Sequence, residues 1–353
     1  DPKREDCEYP FPHLCGAGVA YKLVETLFNV EGRDAGEIEY LIENVAIATV
    51  GDVMDLIGEN RIFVKYGLEK IKKTKNLGLK SLIECTGVEL DRLSSYHIGF
   101  VIGPCLNASG RLDTAKRALE LLRAKTKADA DILAGDLKAL NDSRKEMTAE
   151  AVEEAVEQVE NTSLKEDTVL VIYLPDCHES LAGIVAGRIR EKYYRPTFVL
   201  TNAEEGAKGS GRSIDAYHMY EEMNKCKDLL EKFGGHKLAG GLSIPIENID
   251  LFRKRLNENC ELSEDELYEK VSIDMQLPLS YVSETLIEEL ECLEPFGKGN
   301  PKPVFAEKDI QIRGTRILGK NKNVLKLQLS DMYGTEMEGM YFGDVGRVMD
   351  TIE

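Results

Sequence analysis

The sequence lacks three patterns, and each absence excludes a class of protein. No apolar run approaches the roughly 18–20 residues that a membrane-spanning helix needs. The eight cysteines are scattered without a C-x-x-C pair, which argues against a zinc finger or a disulfide scaffold and favours free thiols in a reducing cytosol. Residue 1 is Asp and no signal-peptide pattern follows it, so we expect the chain to begin inside a longer, cytoplasmic protein.

A strongly basic segment lies inside an acidic chain. The net charge of −18 over 353 residues argues against a histone-like DNA coat, yet residues 295–326 carry eight basic and two acidic side chains. Such a segment is either a solvated hairpin face or a groove that follows the phosphates of a single strand on an oligonucleotide-binding barrel. Its basic residues are Lys298, Lys302, Lys308, Arg313, Arg316, Lys320, Lys322 and Lys326.

The periodicity of apolar residues predicts an α/β multidomain protein with four parts. Residues 1–110 have mainly helical spacing, and 111–165 read as long, charged connecting helices. Strand and helix patterns alternate in an α/β domain over 166–262. Residues 263–353 show the alternation and turn residues of β-hairpins, which predicts a small, incomplete β-barrel-like domain.

Two candidate sites lie in the helical part. Asp52 follows an apolar helix, where a buried carboxylate must be paired or bind metal, and a helix cap is the alternative. Residues 106–111 read as a small turn that delivers Asn107 and Arg111 to the start of the long helix. Arg suits bidentate phosphate contact, although an ordinary helix cap would look the same.

Three further candidates lie in the α/β domain. Residues 206–213 resemble a P-loop, but Arg212 replaces its Lys, so a backbone cradle for one phosphate is favoured over nucleotide hydrolysis. His236 stands between two Gly-Gly pairs, which favours a ligand or phosphate role over a structural one. His178 precedes a glycine-rich helix, where it either faces a cleft or caps the helix.

The order of these motifs resembles the RecJ family of single-strand-specific DNA exonucleases, in the DHH phosphoesterase superfamily. Six motifs in the right order are far more specific than any one of them. The resemblance implies a partial DHH domain, a connecting helix, a DHH-associated α/β domain and an OB-like nucleic-acid-binding domain. The matching segments are residues 1–20, 49–52, 106–111, 178–196, 234–241 and 294–301.

The departures from the family concern its metal site. The family's D-x-D motif, a further Asp and the Asp-His-His motif supply most ligands for two Mn²⁺ or Mg²⁺ ions, and this sequence has none of them. Asp52 alone remains of that set. Where the family has His, any residue and Gly, this chain has His178, Glu179 and Ser180.

The resemblance implies 5′–3′ hydrolysis of single-stranded DNA with two divalent metals, in DNA repair and recombination, with a single-strand-binding protein and a helicase as partners. It makes Asp52 a metal ligand and places His236 over the scissile phosphate, both as catalytic residues. The implied substrate-binding residues are Asn107, Arg111, His178, Ser210, Arg212, Ser213, Gly234 and Gly235. The implied DNA-guiding residues are Lys298, Lys302, Arg313, Arg316, Lys320 and Lys322.

Two alternatives stay open. The chain could be a non-catalytic module that binds single strands or partner proteins, or a phosphodiesterase for oligonucleotides or cyclic dinucleotides. The barrel-like domain argues against the second, because small substrates need no long guiding groove. In the favoured interpretation, the missing ligand set predicts that this polypeptide alone has little or no nuclease activity.

Overall fold

The computed structural model describes residues 1–112, 114–319 and 321–352, without the side chains of Ala35, Arg111, Leu112 and Arg347. Contacts divide the chain into two compact units. The first comprises Asp1–Ile71, Ser94–Tyr96 and Val271–Glu353. The second comprises Lys72–Leu93 and His97–Lys270.

Helices and strands follow one another in the order that periodicity predicts for most of the chain. The helices are α1 (Gly16–Val30), α2 (Ile42–Gly51), α3 (Gly58–Ile71), α4 (Leu77–Thr86), α5 (Ser95–His97), α6 (Gly103–Leu112), α7 (Lys116–Leu122), α8 (Lys127–Asn161), α9 (Glu179–Tyr193), α10 (Met219–Lys225), α11 (Ile249–Glu258), α12 (Glu284–Glu291) and α13 (Val345–Ile352). The strands are β1 (Leu170–Tyr173), β2 (Thr197–Asn202), β3 (Ala207–Arg212), β4 (Lys232–His236), β5 (Ala239–Ile244), β6 (Met275–Gln276), β7 (Phe305–Ala306), β8 (Gln311–Leu318), β9 (Val324–Ser330) and β10 (Glu336–Phe342).

The first unit joins a helical cluster to a β-rich segment. Tyr21 of α1 and Phe63 of α3 meet edge to face, with ring centroids 5.4 Å apart, inside a core that also buries Val45 of α2. The β-rich segment contains an antiparallel sheet in the order β10-β9-β8 and a parallel β6-β7 pair. The alternating patterns in this segment therefore correctly predicted strands, as the helical spacing predicted α1 to α3.

The helical part of the second unit corrects two predictions. Residues 106–111 do not form a turn, because they lie inside α6, where Ala108 and Ser109 are fully buried. The expected continuous helix after residue 112 is interrupted between α7 and α8, where Thr126 accepts a hydrogen bond from the Asp129 N–H and starts α8 anew.

A five-stranded sheet in the order β1-β2-β3-β5-β4 forms the rest of the second unit. The β1–β2 pair is parallel, and the other pairs are antiparallel. Helix α9 packs on one face through Val185 and Ile189, which contact Val199 in a core shared with α8. On the other face, α10 and α11 bury Phe198 and Phe252, whose rings meet edge to face. Helix α9 contacts β2 and β3 on its face of the sheet.

No helix among the described residues combines the length and the apolar character that crossing a membrane requires.

Candidate nucleic-acid interface

The glycine-rich stretch 206–213 is a strand of the sheet, so the predicted backbone cradle for a phosphate is wrong. Residues of β3 pair with β2 on one side and β5 on the other, and these ladders use the N–H groups that a cradle would need. Side chains alternate along a strand, which places Lys208, Ser210 and Arg212 together on one face. Ser210 pairs with Val199 of β2, and Val199 packs against α9. The side chains of Lys208, Ser210 and Arg212 therefore lie on the face of the sheet against which α9 packs.

The glycines of β3, β4 and β5 serve two different purposes. A Cβ on Gly211 would lie 2.3 Å from Met219 Sδ, and one on Gly240 would lie 2.4 Å from Met223 Cε, so α10 can pack only against glycine there. Gly234 and Gly241 are paired with each other and exposed on the face of Ser210. A Cβ on Gly234 would meet nothing within 4 Å. These two glycines therefore leave part of the sheet surface without side chains, and we call this part the open floor.

Arg212 and His236 are brought together by strand register. Arg212 lies opposite Ala239, and Ala239 lies opposite His236, so the two side chains project from one face on either side of Ala239. His236 is exposed, and its Nδ1 accepts a hydrogen bond of 3.3 Å from the Leu238 N–H. Arg212 is half-buried, and a Cβ on Gly183 of α9 would lie 2.7 Å from its Nη2. The glycine leaves the space that the guanidinium occupies.

A cleft of about 390 Å³ opens between the start of α9 and this face. Of the residues assigned from sequence, Ser210 lines it, whereas Arg212 and His236 do not. The lining residues are Glu179, Ser180, Ala182, Lys208, Gly209, Ser210, Lys232, Phe233, Gly241, Leu242 and Ser243. Sequence reasoning missed its two lysines. The signal for Lys208 was the alternation of 208, 210 and 212, which applies only once the segment is recognised as a strand.

His178 caps α9, which is the structural alternative that the sequence left open. Its Nδ1 lies 2.7 Å from the Ser180 Oγ and accepts a 3.3 Å hydrogen bond from the Ser180 N–H. The departure from the family's His-x-Gly pattern therefore leaves the start of the helix intact and adds a hydroxyl to the cleft wall. Glu179 extends instead to Lys208, with 2.9 Å between Oε2 and Nζ.

Three other assigned residues, Ser213, Asn107 and Gly235, are not among those that line the cleft. Ser213 is buried and its hydroxyl donates to the Tyr217 carbonyl at 2.8 Å, a contact that fixes the turn after β3. Asn107 is exposed on α6. Arg111 belongs to the same helix, and its side chain lies outside the described residues. Gly235 pairs with Gly240 at the far end of β4.

The described residues do not fit a two-metal site. Asp52 is exposed at the C-terminal end of α2, where its N–H donates to the Ala48 carbonyl at 2.8 Å. The sequence predicted a buried carboxylate that would have to be paired or bind a metal ion. Because Asp52 is exposed, its carboxylate has no burial cost for a metal ion to offset. Within residues 1–112, 114–319 and 321–352, no group of three or more His, Cys, Asp or Glu side chains could hold a metal ion.

The basic segment presents several exposed cations, together with two that form ion pairs in the described part of the chain. Lys326 pairs with Glu338 at 2.6 Å. Lys302, Arg313, Arg316 and Lys322 are exposed. Lys298 instead forms a 3.0 Å ion pair with Asp55, and its carbonyl accepts a 2.6 Å hydrogen bond from the Leu56 N–H. Lys320 lies outside the described residues.

Exposed aromatic rings lie beyond the basic segment. The two aromatics inside it, Phe296 and Phe305, are half-buried. Tyr333, in the turn after β9, is 82% exposed, and Phe342, at the end of β10, is 70% exposed. Rings of this kind are stacking platforms in proteins that bind single strands. Sequence reasoning considered only the basic segment and so missed them.

The eight cysteines are all free, as their spacing predicted.

Comparisons with family models define the class of the two parts of the chain that carry these features. Residues 166–262 match the DHHA1 domain, and residues 273–352 match the RecJ OB domain. A DHH-associated α/β domain followed by an OB domain, together with the helical parts described above, confirms the predicted fold class. The chain therefore contains a DHH-associated domain and an OB domain of the RecJ type.

Comparisons with individual proteins identify the branch of that class. The chain is 34% identical, over 93% of its length, to the single-stranded-DNA-specific exonuclease RecJ of Bacillus subtilis, and it covers 41% of that protein. It is 34% identical over 95% of its length to the RecJ of Haemophilus influenzae, of which it covers 61%. A crystal structure of Thermus thermophilus RecJ with Mg²⁺ superimposes with a TM-score of 0.82 at 29% identity, covering 97% of this chain and 52% of that one. The chain is therefore a RecJ homologue, and it spans about half the length of the relatives it matches.

Proposed function

We propose that this chain is the DNA-holding part of a single-stranded-DNA-specific 5′–3′ exonuclease, which hydrolyses phosphodiester bonds with two divalent metal ions in DNA repair and recombination. Homology to RecJ over most of the chain supports the activity, and RecJ of Thermus thermophilus has been crystallised with Mg²⁺ and with Mn²⁺. The described residues do not form a metal site, so the role proposed for them is to bind the strand. Asp52 would contribute one ligand to a site completed by other parts of the protein.

The observation that carries the proposal is the face shared by Ser210, Arg212 and His236. The guanidinium of Arg212 can give two parallel hydrogen bonds to a terminal phosphate, and the Ser210 hydroxyl is two residues away on the same strand face. The imidazole of His236 projects from the same face and can donate a further hydrogen bond. The open floor at Gly234 and Gly241 leaves room for the sugar or base.

The experiment compares 5′-phosphorylated with 5′-hydroxyl oligothymidylate in a fluorescence-anisotropy titration. Hydrogen bonds to a charged group contribute about 1.5–3 kcal/mol, so we expect at least a tenfold preference for the 5′-phosphate. Arg212→Met should abolish the preference. Arg188→Met is the matched control, because Arg188 is exposed on α9 and forms a 3.3 Å ion pair with neighbouring Glu191. No preference in the unaltered chain, or its survival in Arg212→Met, would contradict the proposal.

The β-rich segment would bind the strand in a second, less specific way. Lys302, Arg313, Arg316 and Lys322 would contact phosphates, while Tyr333 and Phe342 would stack on bases. Their exposure supports this role. Affinity should then fall steeply with salt but keep a residual, salt-insensitive component that a Phe342→Ala variant reduces.

A non-catalytic binding module remains the second candidate, favoured by the lack of a metal-binding group among the described residues. The two candidates differ in one measurement on the full-length protein. Release of mononucleotides from 5′-phosphorylated strands in Mn²⁺ would support the exonuclease, and binding without cleavage would support the module.

Three further assignments stay predictions. They are a cytoplasmic location, a single-strand-binding protein and a helicase as partners, and domain boundaries at 110, 165 and 262.

A further inference from the structure

We infer that the cleft beside α9 receives the β- and γ-phosphates of a single strand that ends in a 5′-diphosphate or a 5′-triphosphate. The inference rests on the proposed function, because it takes the α-phosphate, which is the first phosphate at the 5′ end, to lie at Ser210 and Arg212. It names a class of substrate end that no motif of the sequence indicated. It also gives a role to Lys208, Lys232 and Ser243, which line the cleft.

The register of the strands arranges the side chains of this face in three rows. Neighbouring rows are two residues apart along β3, which is roughly 7 Å. The first row holds Arg212 and His236, the second holds Ser210, and the third holds Lys208, Ser243 and Lys232. The third row belongs to the cleft, and the first row does not.

The third row lies beyond the 5′ end of the bound strand. The resemblance to RecJ implies that the scissile phosphate lies at His236, in the first row. The α-phosphate binds between the first and second rows, at Arg212 and Ser210. The cleft therefore adjoins the α-phosphate on the side away from the bond that is cut, and groups bound in it need no metal ligands.

Two lysines flank the third row. Lys208 lies opposite Ser243, and Ser243 lies opposite Lys232. Neighbouring strands are about 4.8 Å apart, so the backbones of the two lysines are roughly 10 Å apart. Their long side chains can converge on one phosphate group above the Ser243 hydroxyl, which can donate a hydrogen bond to it.

The size of the cleft suits two further phosphate groups. An extended chain of two phosphates can bridge the roughly 7 Å between the second row and the third. Ser180 of α9 also lines the cleft, and its hydroxyl can donate to a phosphate oxygen. The volume of about 390 Å³ lies within the usual range for sites that bind small ligands.

One carboxylate opposes the bound anion. Glu179 lines the cleft, and its Oε2 lies 2.9 Å from Lys208 Nζ, with both side chains about half exposed. A bound phosphate must therefore compete with Glu179 for Lys208. Lys232 is exposed and forms no ion pair in the described part of the chain. Loss of Lys232 should therefore weaken the binding of the added phosphates most.

The test titrates the chain in EDTA with three oligothymidylates that differ only at the 5′ end, which carries a hydroxyl, a monophosphate or a triphosphate. Hydrogen bonds to charged groups are strong, so the triphosphate should bind about tenfold more tightly than the monophosphate. Lys232→Met should abolish this difference and leave the affinity for the monophosphate within about twofold. Glu179→Gln should increase the difference severalfold.

Two controls separate the cleft from general electrostatic attraction and from a site for free nucleotides. Lys254→Met removes a cation on α11, on the other face of the sheet, and should leave the preference for the triphosphate unchanged. Its loss in this variant would overturn the inference. Thymidine 5′-triphosphate should bind at least about tenfold more weakly than the triphosphorylated strand, because it lacks the further nucleotides. Equal binding of the two would overturn the assignment to strands.

The outcomes separate this inference from the proposed function. Equal binding of triphosphate and monophosphate by the unaltered chain, or a preference that survives Lys232→Met, would overturn the assignment of the cleft. The proposed function survives either result if the monophosphate still binds more tightly than the hydroxyl and Arg212→Met abolishes that preference. If the unaltered chain binds all three ends equally, the proposed function fails and the inference fails with it.

Discussion

Substituting alanine for two glycines of the same sheet should change the stability of the protein differently at the two positions. Gly211 of β3 faces α10, and an added Cβ would lie 2.3 Å from Met219 Sδ and 2.8 Å from Phe198 Cε1. Both neighbours are fully buried and cannot move into solvent. Gly241 of β5 faces the open side, and its Cβ would meet only the Gly209 carbonyl oxygen, at 3.8 Å.

The magnitude follows from two opposing effects. Overpacking a core costs about 1–3 kcal/mol, while replacing Gly by Ala lowers the entropy of the unfolded chain and gains about 0.4–1 kcal/mol. Gly211→Ala should therefore lower the free energy of unfolding by about 1–2 kcal/mol. For a unit of this size, each kcal/mol shifts the thermal midpoint by about 2–4 °C, so we expect a decrease of roughly 4 °C. Gly241→Ala should leave the midpoint unchanged or raise it slightly.

The assay is thermal unfolding followed by circular dichroism, combined with binding of 5′-phosphorylated oligothymidylate. Gly241→Ala should weaken binding, because its methyl group protrudes from the open floor directly beside Ser210. Gly211→Ala, measured well below its midpoint, should bind normally. A Gly211→Ala midpoint at or above that of the unaltered chain would refute the packing argument, and normal binding by Gly241→Ala would refute the assignment of the open face.

Further predictions concern other parts of the chain. Lys298→Met should lower stability by about 0.5 kcal/mol, because Lys298 pairs with Asp55, and leave the salt dependence of binding unchanged. Lys302→Met should instead reduce the slope of log affinity against log salt by about 0.7, and equal slopes for the two variants would contradict this. Burial raises the pKa of the Cys226 thiol to about 11, so alkylation of Cys226 at pH 8, followed by mass spectrometry, should be far slower than that of exposed Cys7; equal rates would contradict the burial. Because the folded pKa is the higher one, the stabilisation from this thiol is complete below about pH 9 and lost as the pH rises towards 11. This polypeptide alone should release no mononucleotides from 5′-phosphorylated strands in Mn²⁺, because the described residues around Asp52 do not complete a metal site. Brisk release would contradict this prediction.

Periodicity predicted the elements whose side chains carry a clear pattern. Helices α1 and α3 follow the 3.6-residue spacing of apolar side chains, and β1 and β2 contain the short apolar runs Leu-Val-Ile and Phe-Val-Leu. The strand β3 was missed because its sequence is Ala-Lys-Gly-Ser-Gly-Arg, in which the two glycines and the serine favour a turn when seen alone. The close packing of Met219 of α10 against Gly211 explains why a central strand carries glycine at that position.

Part of the candidate site could be predicted from local sequence motifs. His236 and Arg212 could be selected because motifs surround them, but their pairing across Ala239 depends on a register that no local pattern encodes. Lys232 precedes its motif and carries no signal of its own, so the cleft was found only from the structure. Ser213 has the right chemistry, but the turn after β3 uses its hydroxyl.

The most direct test of the central claim is a crystal structure of this chain with a 5′-phosphorylated oligothymidylate. The account predicts the terminal phosphate within hydrogen-bonding distance of the Arg212 guanidinium and the Ser210 hydroxyl, on the α9 face of the sheet. A strand bound elsewhere, with that face empty, would contradict it.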